Sequence, residues 1–370
     1  MLAVFNSFLR HAPSYDDERK WGGVIAFPFN AVIDWPMATP AGMEVFTMPV
    51  VNNQFKKVFD AWARYLRSKD SADEVLFDYR KDPNDESTTL LGWLSKEALE
   101  DLKPWKIGAS GKLNFEDAYI CDPSDPNKHY GFASWDDFFS RQFKLSVRPF
   151  PTGGDGEIVA ACESDLNRIW MSVKPSADFW VKNQPYSLLD ILDHDPDYAP
   201  AFADGGAILQ AFLSAKAYHR WHSPVDGVIK KAYVVPGTYF ALCPTSDLDP
   251  AAPDLSQPYI SQMATRALIF IQADNSAIDL MCFVSIGMAE VSSCEITVYD
   301  GQKVKKGDQL GMFHHGGSSH CLIFRSDTAK KLEWKTNDPP KSAENKEYPY
   351  DPDNAKYHLY LRQPIATVKA

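Results

Sequence analysis

The sequence predicts an α+β protein, mainly helical in its first third and β-rich afterwards. Three observations predict it: helical spacing of apolar residues before residue 70, branched and aromatic runs after about residue 207, and the order of the two textures. Helices first and strands later argue against the regular alternation of a parallel α/β fold. At 370 residues with 45% hydrophobic content, the chain can bury a large core, as one large domain or two ordinary ones. The turn-rich stretch 121–128 reads as a linker, which gives a helical domain at 1–128 and a β-rich domain at 129–370.

The elements follow in order. Phe55, Val58, Phe59, Trp62 and Leu66 share one helical face, with Lys56, Lys57, Asp60 and Arg64 on the other. Ser95 caps a short helix beginning at Lys96. Ser134 to Asp137 reads as a capping box for a helix carrying Phe138 and Phe139, and Ser187 to Asp190 as a second box before Ile191 and Leu192. Val228 to Leu242, Arg266 to Gln272 and Asp279 to Gly287 read as strands, with Asp226-Gly227 and Asp300-Gly301 as hairpin-type turns. Pro-rich loops fall at 244–258 and 338–353. The start, close to an apolar stretch with no evident cap, is what is expected if residues precede Met1.

Charge and cysteine exclude several classes. A net charge of -11 and the lack of any Lys/Arg run argue against a nucleic-acid surface or a docking site for anionic lipid. Six scattered cysteines without a Cys-x-x-Cys pair read as reduced thiols, which points to the cytoplasm. No apolar run reaches about 18 residues, so no stable membrane anchor is expected. There is no Walker A loop, Rossmann glycine fingerprint or His-Glu-x-x-His motif.

The chemistry concentrates in three places. Gly316-Gly317-Ser318-Ser319, between β-like segments, can bring the Ser318 hydroxyl onto the carbonyl before it, a geometry suited to a peptide bond that cuts itself. The base such an attack needs is offered by Tyr218-His219-Arg220-Trp221-His222, next to a turn. If that segment is extended, His219 and His222 point to opposite faces and only one faces the site. Two other readings stand beside this one: interior or turn histidines, and a His-x-x-His metal pair, for which no further ligands are evident. Asp165 and Glu163 are candidates for a carboxylate that orients the imidazole.

Several separated motifs, in order, resemble the phosphatidylserine decarboxylase family of pyruvoyl enzymes over roughly residues 132–325. They are Phe138-Phe139-Ser140-Arg141 to Arg148-Pro149, Lys182 to Leu188, Tyr218 to Gly227, and Lys306-Gly307-Asp308 to Ser319. Ala160 to Ser164, Ala217 to His222, Pro236 to Ala241, Gly311 to His314 and the stretch from Phe55 to Trp62 are similar to a soluble branch of that family. This branch comprises the fungal L-tryptophan decarboxylases of psilocybin biosynthesis and related aromatic amino-acid decarboxylases. Two departures stand out: Ala264-Thr265-Arg266 lacks the family's Asn, and Glu163-Ser164-Asp165 replaces its Pro-x-Asp. The orienting acid is therefore open between Asp165 and Glu163.

The resemblance implies a zymogen. Ser318 would attack the Gly317 carbonyl with His222 as base, Gly316 and Gly317 allowing the turn, and backbone N–H groups or Ser319 stabilising the oxyanion. Cleavage at 317/318 would give a β chain, 1–317, and an α chain, 318–370, each the other's partner. Ser318 would become a pyruvoyl cofactor that forms a Schiff base with the substrate amine. His222 or His219 would return a proton to the substrate, with no metal or PLP expected. The implied reaction is decarboxylation of a free aromatic amino acid, L-tryptophan to tryptamine plus CO2. The alternatives are a phosphatidylserine decarboxylase making phosphatidylethanolamine, a serine hydrolase built on Ser318, His222 and Asp165, and a non-catalytic carrier module with its turn at Lys303 to Asp308.

Overall fold

The computed structural model describes residues 2–15, 27–77, 92–124, 126–176, 186–242, 256–315, 318–336, 339, 345–348 and 355–369. Helices dominate the first part: α1 (Leu2–Phe8), α2 (Pro28–Met37), α3 (Pro40–Thr47), α4 (Pro49–Leu66), α5 (Lys69–Val75), α6 (Lys96–Asp101), α7 (Phe115–Ala118) and α8 (Trp135–Phe139). Three of them begin at a proline, whose fixed φ suits the first helical turn and whose missing N–H loses nothing there. On α4 the expected face is the buried one, with Phe59, Trp62 and Leu66 inside. Ser134 caps α8 as expected, accepting from Asp137 N at 3.1 Å. Ser187 precedes the single turn α9 (Leu188–Ile191) but makes no cap bond; its hydroxyl donates to Pro175 O at 3.3 Å.

The rest is antiparallel sheet. The strands are β1 (Glu157–Val159), β2 (Ser164–Val173), β3 (Gly206–Leu213), β4 (Arg220–His222), β5 (Gly227–Val235), β6 (Arg266–Ala273), β7 (Leu280–Ile286) and β8 (Ser293–Ile296). They continue with β9 (Lys303–Val304), β10 (Gln309–His314), β11 (Ser318–Arg325), β12 (Leu332–Trp334), β13 (Lys346–Glu347), β14 (His358–Leu359) and β15 (Pro364–Val368). Helices α10 (Gln257–Met263) and α11 (Ser326–Ala329) interrupt them. The large sheet runs β13-β2-β3-β11-β7-β6-β5-β9, with β14 also on β2; β4-β10-β8 and β1-β15-β12 form two smaller sheets.

The expected α+β class is what the structure shows. Strand structure, however, begins at Glu157, well before residue 207. The strand expected over Val228 to Leu242 stops at Val235, because Pro236 has no N–H to give a ladder. The two Asp-Gly pairs do turn the chain, but they are not hairpins. Asp226-Gly227 leads from β4 to β5, and Asp300-Gly301 from β8 to β9; in each case the strands on either side belong to different sheets. Gly227 is needed for close approach, since a Cβ there would lie 2.3 Å from Gln272 O.

Each face of the large sheet has its own core. One face, with Ile208, Leu268, Val284 and Ile323, packs under the helices, with their Phe29 and Trp62, and under the loop residue Phe240. The other, with Leu209, Ile269, Phe283 and Leu322, packs against Trp221, Leu310 and Phe313 of the β4-β10-β8 sheet. β10 and β11 lie in different sheets, so the chain crosses from one layer to the other between His314 and Ser318.

Candidate active site

The crossover builds the site. Ser318 opens β11 opposite Leu213, the last residue of β3, while Ser319 pairs with Phe212 and with Ile286 of β7. Successive strand residues alternate faces, so the two hydroxyls part company. Ser319 Oγ lies 3.3 Å from Gln210 Nε2 on the helical side. Ser318 Oγ is fully buried and has no hydrogen-bond partner among the described residues. Gly316 and Gly317 lie outside the described residues.

The two histidines of the Tyr218-to-Gly227 motif do diverge. β4 runs antiparallel to β10, with His222 opposite Gln309 and Phe313 N donating to His219 O at 3.0 Å. His219 therefore lies at the Ser318 end of the strand pair and His222 at the far end. At that far end both ring nitrogens of His222 are engaged. A carbonyl can only accept, so His222 Nδ1–H donates to Gly307 O at 2.8 Å, and Nε2 is left to accept from Tyr218 O–H at 3.0 Å. Gly307 has φ 87, a conformation that lets this tight turn present its carbonyl. Burial, and then Arg362 alongside, push the His222 pKa down to about 3.

His219 is placed by the first recognised motif. Phe139 stacks on its ring with centroids 3.9 Å apart. Arg141 donates to the carbonyls of Lys216 (2.6 Å) and Ala217 (3.2 Å), fixing the loop that delivers it. Its guanidinium rests over Tyr119 at 4.6 Å. Neither His219 nitrogen has a well-formed hydrogen bond. Burial and then the Arg141 charge hold its pKa well below the usual value, with the carbonyls of Ser214 and Ala217 pulling weakly the other way. His315 and His320 are likewise buried, each with an unpartnered Nδ1 and a pKa of about 3 caused first by burial.

The acids are brought elsewhere. Asp165 shares a register row with Phe212 and Ser319, two strands from the serine. Its carboxylate binds His358 Nδ1 at 2.8 Å, not His219. Glu163 accepts from Arg148 Nε at 2.8 Å and from Arg148 Nη2, from His358 Nε2 at 2.9 Å and from Leu361 N at 2.9 Å. Burial alone would raise Glu163, but Arg148 overrides it and leaves the pKa at about 2. Burial likewise opposes the charge on His358, and the two carboxylates win, raising it to about 9. Arg148, His358 and Arg362 are thus members of the buried framework that sequence reasoning passed over. Arg148 was visible as a motif residue; the other two had no local signal. Among the described residues, no group of three or more His, Cys, Asp or Glu is arranged to hold a metal ion.

With this geometry in place, comparison with known proteins identifies the family. The phosphatidylserine decarboxylase family model matches residues 135–345, and a second model of that description matches residues 1–102. The chain belongs to the phosphatidylserine decarboxylase family, and it is a decarboxylase, a carboxy-lyase. It is 42% identical to decarboxylase iboD of Amanita muscaria over 77% of this chain and 80% of that one. It is 39% identical to the L-tryptophan decarboxylase of Psilocybe cubensis, over 91% of this chain and 74% of the relative. A phosphatidylserine decarboxylase proenzyme of rice is more distant, at 26% over 63% of this chain. No helix among the described residues is long and apolar enough to cross a membrane.

Proposed function

We propose that this decarboxylase processes itself at Gly317–Ser318 and acts on free aromatic L-amino acids, with L-tryptophan giving tryptamine and CO2. The observation that carries the reading is the buried, unpartnered Ser318 hydroxyl at the start of β11, with His219 at the same end of the strands. The substrate class is supported by 39% identity to an L-tryptophan decarboxylase along most of the chain. Unpaired thiols at the five described cysteines favour a cytoplasmic setting.

We move one role. His222 is the base expected from sequence, but both its nitrogens are bonded at the Gly307 end, so we assign the base to His219. His219 takes the Ser318 Oγ proton as that oxygen adds to the Gly317 carbonyl. The C–N bond then breaks, the proton goes to the departing Ser318 nitrogen, and an ester joins Gly317 to Oγ. Loss of the Ser318 Cα proton expels the Gly317 carboxylate, and water replaces nitrogen to leave a ketone and ammonia. The depressed His219 pKa keeps the imidazole neutral and able to start this sequence.

The residues present fit the resulting pyruvoyl group: the serine it comes from is enclosed, and the Gln210 amide is within reach of the adjoining Ser319. When formed, that group supplies a ketone that withdraws the electrons left by departing CO2. Phe139 and Arg141 hold His219 where it can return a proton to the substrate carbon.

Intact-mass analysis of purified protein should find two chains divided between residues 317 and 318, and Ser318→Ala should stay whole and inactive. An active uncut chain would refute the processing step. CO2 release from tryptophan, tyrosine, phenylalanine and phosphatidylserine, measured in parallel, separates substrate from chemistry. Release from the phospholipid alone would overturn the substrate and leave the cleavage standing.

A further inference from the structure

Ser319 belongs to a buried polar cluster on the helical face of the large sheet. Gln210 of β3 pairs with Cys321, two residues on from Ser319, so all three side chains point to the same face. The Gln210 amide oxygen accepts from the Tyr186 phenol. Burial holds that phenol well above its usual pKa, so it stays a donor. With the oxygen so engaged, Nε2 faces the other way, toward Gln257 Oε1 (3.0 Å), Ser261 Oγ (3.0 Å) and Ser319 Oγ (3.3 Å). All five side chains are buried.

The hydrogens in this cluster do not match the acceptors. An amide nitrogen carries two, and three oxygens face it. Ser261 O–H is already used, donating to Gln257 O at 2.7 Å. Ser319 Oγ accepts at the longest of the three distances, and its own O–H makes no donated bond among the described residues. Ser319 is thus held by a weak bond that it receives, with a donor to spare. A hydroxyl that donates becomes a better acceptor, so the Gln210 contact tightens once Ser319 finds a negative oxygen to bond. Interactions that strengthen only as charge develops are the ones that accelerate a reaction.

We propose that Gln210 is a positioning residue for self-cleavage: oriented by Tyr186, it holds the Ser319 hydroxyl where it donates to the oxyanion formed at the Gly317 carbonyl. The proposal rests on the processing reading and adds to it a device outside both the serine pair and the histidine motif. The alternation of faces supports it. Ser318 Oγ leaves β11 on the side away from Ser319. As that oxygen bonds to the carbonyl carbon, the carbon becomes tetrahedral and its own oxygen bends away from the attacker, toward the face that carries Ser319. The oxyanion accepts from Ser319 while the Ser318 proton passes to His219. The C–N bond then breaks, the carbonyl re-forms as the ester, and the extra bond to Ser319 is released.

Cell-free synthesis of the full chain, sampled on gels over time, reads the cleavage rate. Ser319→Ala should slow it about 100-fold, as loss of one oxyanion donor does. Gln210→Met keeps the shape without the amide and should slow it about 10-fold, the worth of one hydrogen bond. Tyr186→Phe, which removes a single oxygen and repeats the test if Gln210→Met folds poorly, should slow it about 3-fold. Neither should slow the Ser319→Ala chain by more than about a further 2-fold, because both act through that hydroxyl. A merely structural glutamine would slow both backgrounds alike, and that result overturns the proposal. So does cutting at the wild-type rate by Gln210→Met or by Ser319→Ala. Hydroxylamine locates the defect, since it cleaves the Gly317 ester once that ester has formed. Gln210→Met should stay slow in its presence; a return to the wild-type rate would place the defect after ester formation and overturn the proposal. Failure of the processing reading is distinguishable, since it shows as a wild-type chain that is never cut.

Discussion

Two buried polar regions lie at opposite ends of the β4–β10 pair, and they are finished in opposite ways. At the His222 end the charges are matched: Arg148 with Glu163, His358 with Glu163 and Asp165, and Arg362 with the carbonyls of Gly307 (2.9 Å) and Arg148 (2.8 Å). At the Ser318 end, His314 is matched by Asp136 (2.8 Å) and Glu295 (2.9 Å), but Ser318 Oγ, both His219 nitrogens and single nitrogens of His315 and His320 have no well-formed hydrogen bond among the described residues. Folding tolerates such orphans only where the rest of the structure over-determines them, and each costs roughly 1–3 kcal/mol. On the proposed function, the matched end is a frame that fixes geometry and the orphaned groups at the other end are those kept available for reaction. We therefore assign the two histidines, three residues apart, different roles, because one has its bonds made and the other does not.

The largest effect should come from exchanging the two histidines' fates. His219→Gln should leave the chain uncut, with self-cleavage slowed by at least about 100-fold, the usual worth of a positioned base. His222→Gln should cut within about 10-fold of wild type, because a glutamine amide can still reach the Gly307 carbonyl. Gel time courses at matched temperature read both rates directly. If His222→Gln stays uncut while His219→Gln matures, the base belongs at the Gly307 end and the contrast drawn above collapses.

A smaller but still large effect should follow from breaking the frame. Arg148→Met removes one partner of an ion pair whose side chains are 0% and 5% exposed. Glu163 is then left buried with only His358 and the Leu361 N–H as donors. Truncating one member of such a pair typically destabilises by about 3–5 kcal/mol. Urea unfolding of the uncut Ser318→Ala background should register this as a lower midpoint at an unchanged slope. Replacing both partners, Arg148→Met with Glu163→Leu, should recover part of the loss. A single substitution costing under about 1 kcal/mol would show that solvent or backbone groups already satisfy Glu163.

How much of this was legible in the sequence follows the range of the interactions. The amphipathic face of α4 was legible because Phe59, Trp62 and Leu66 are placed by one helix's own period. The start of β2 was not. Ser164, Asp165, Asn167 and Arg168 are polar residues that give no strand signal, and Asp165 and Arg168 are tolerated in a strand because partners arrive from the C-terminal segment: His358 for Asp165, Glu347 for Arg168. The serine pair and the histidine motif stood out as local strings. Which histidine we assign to the serine was not a local property, since the assignment rests on what Phe139 and Gly307 touch. His358 carried no signal at all, standing 195 residues from Glu163 in a tyrosine-rich stretch.

The finest test of the comparison is pH, because the frame titrates where the reacting end does not. His358 has its pKa raised to about 9 in the fold. Its stabilisation is therefore fully present below its ordinary value of about 6.5 and is lost as pH rises through 9. Glu163 is held down at about 2, so its contribution is present above the ordinary carboxylate pKa of about 4.3 and fades as pH falls toward 2. The frame should be strongest between roughly pH 4.5 and 6.5. Raising the pH from 6 to 9.5 should weaken it by about 1–3 kcal/mol, an amount shared among three coupled groups. His358 lies C-terminal to the proposed cut, whereas Glu163 and Asp165 lie before it. In matured enzyme the loss should therefore also appear as easier separation of the two chains by gel filtration in mild urea. His358→Gln should flatten both dependences above pH 6.5. If the variant keeps the wild-type slope there, the titrating group lies outside this frame.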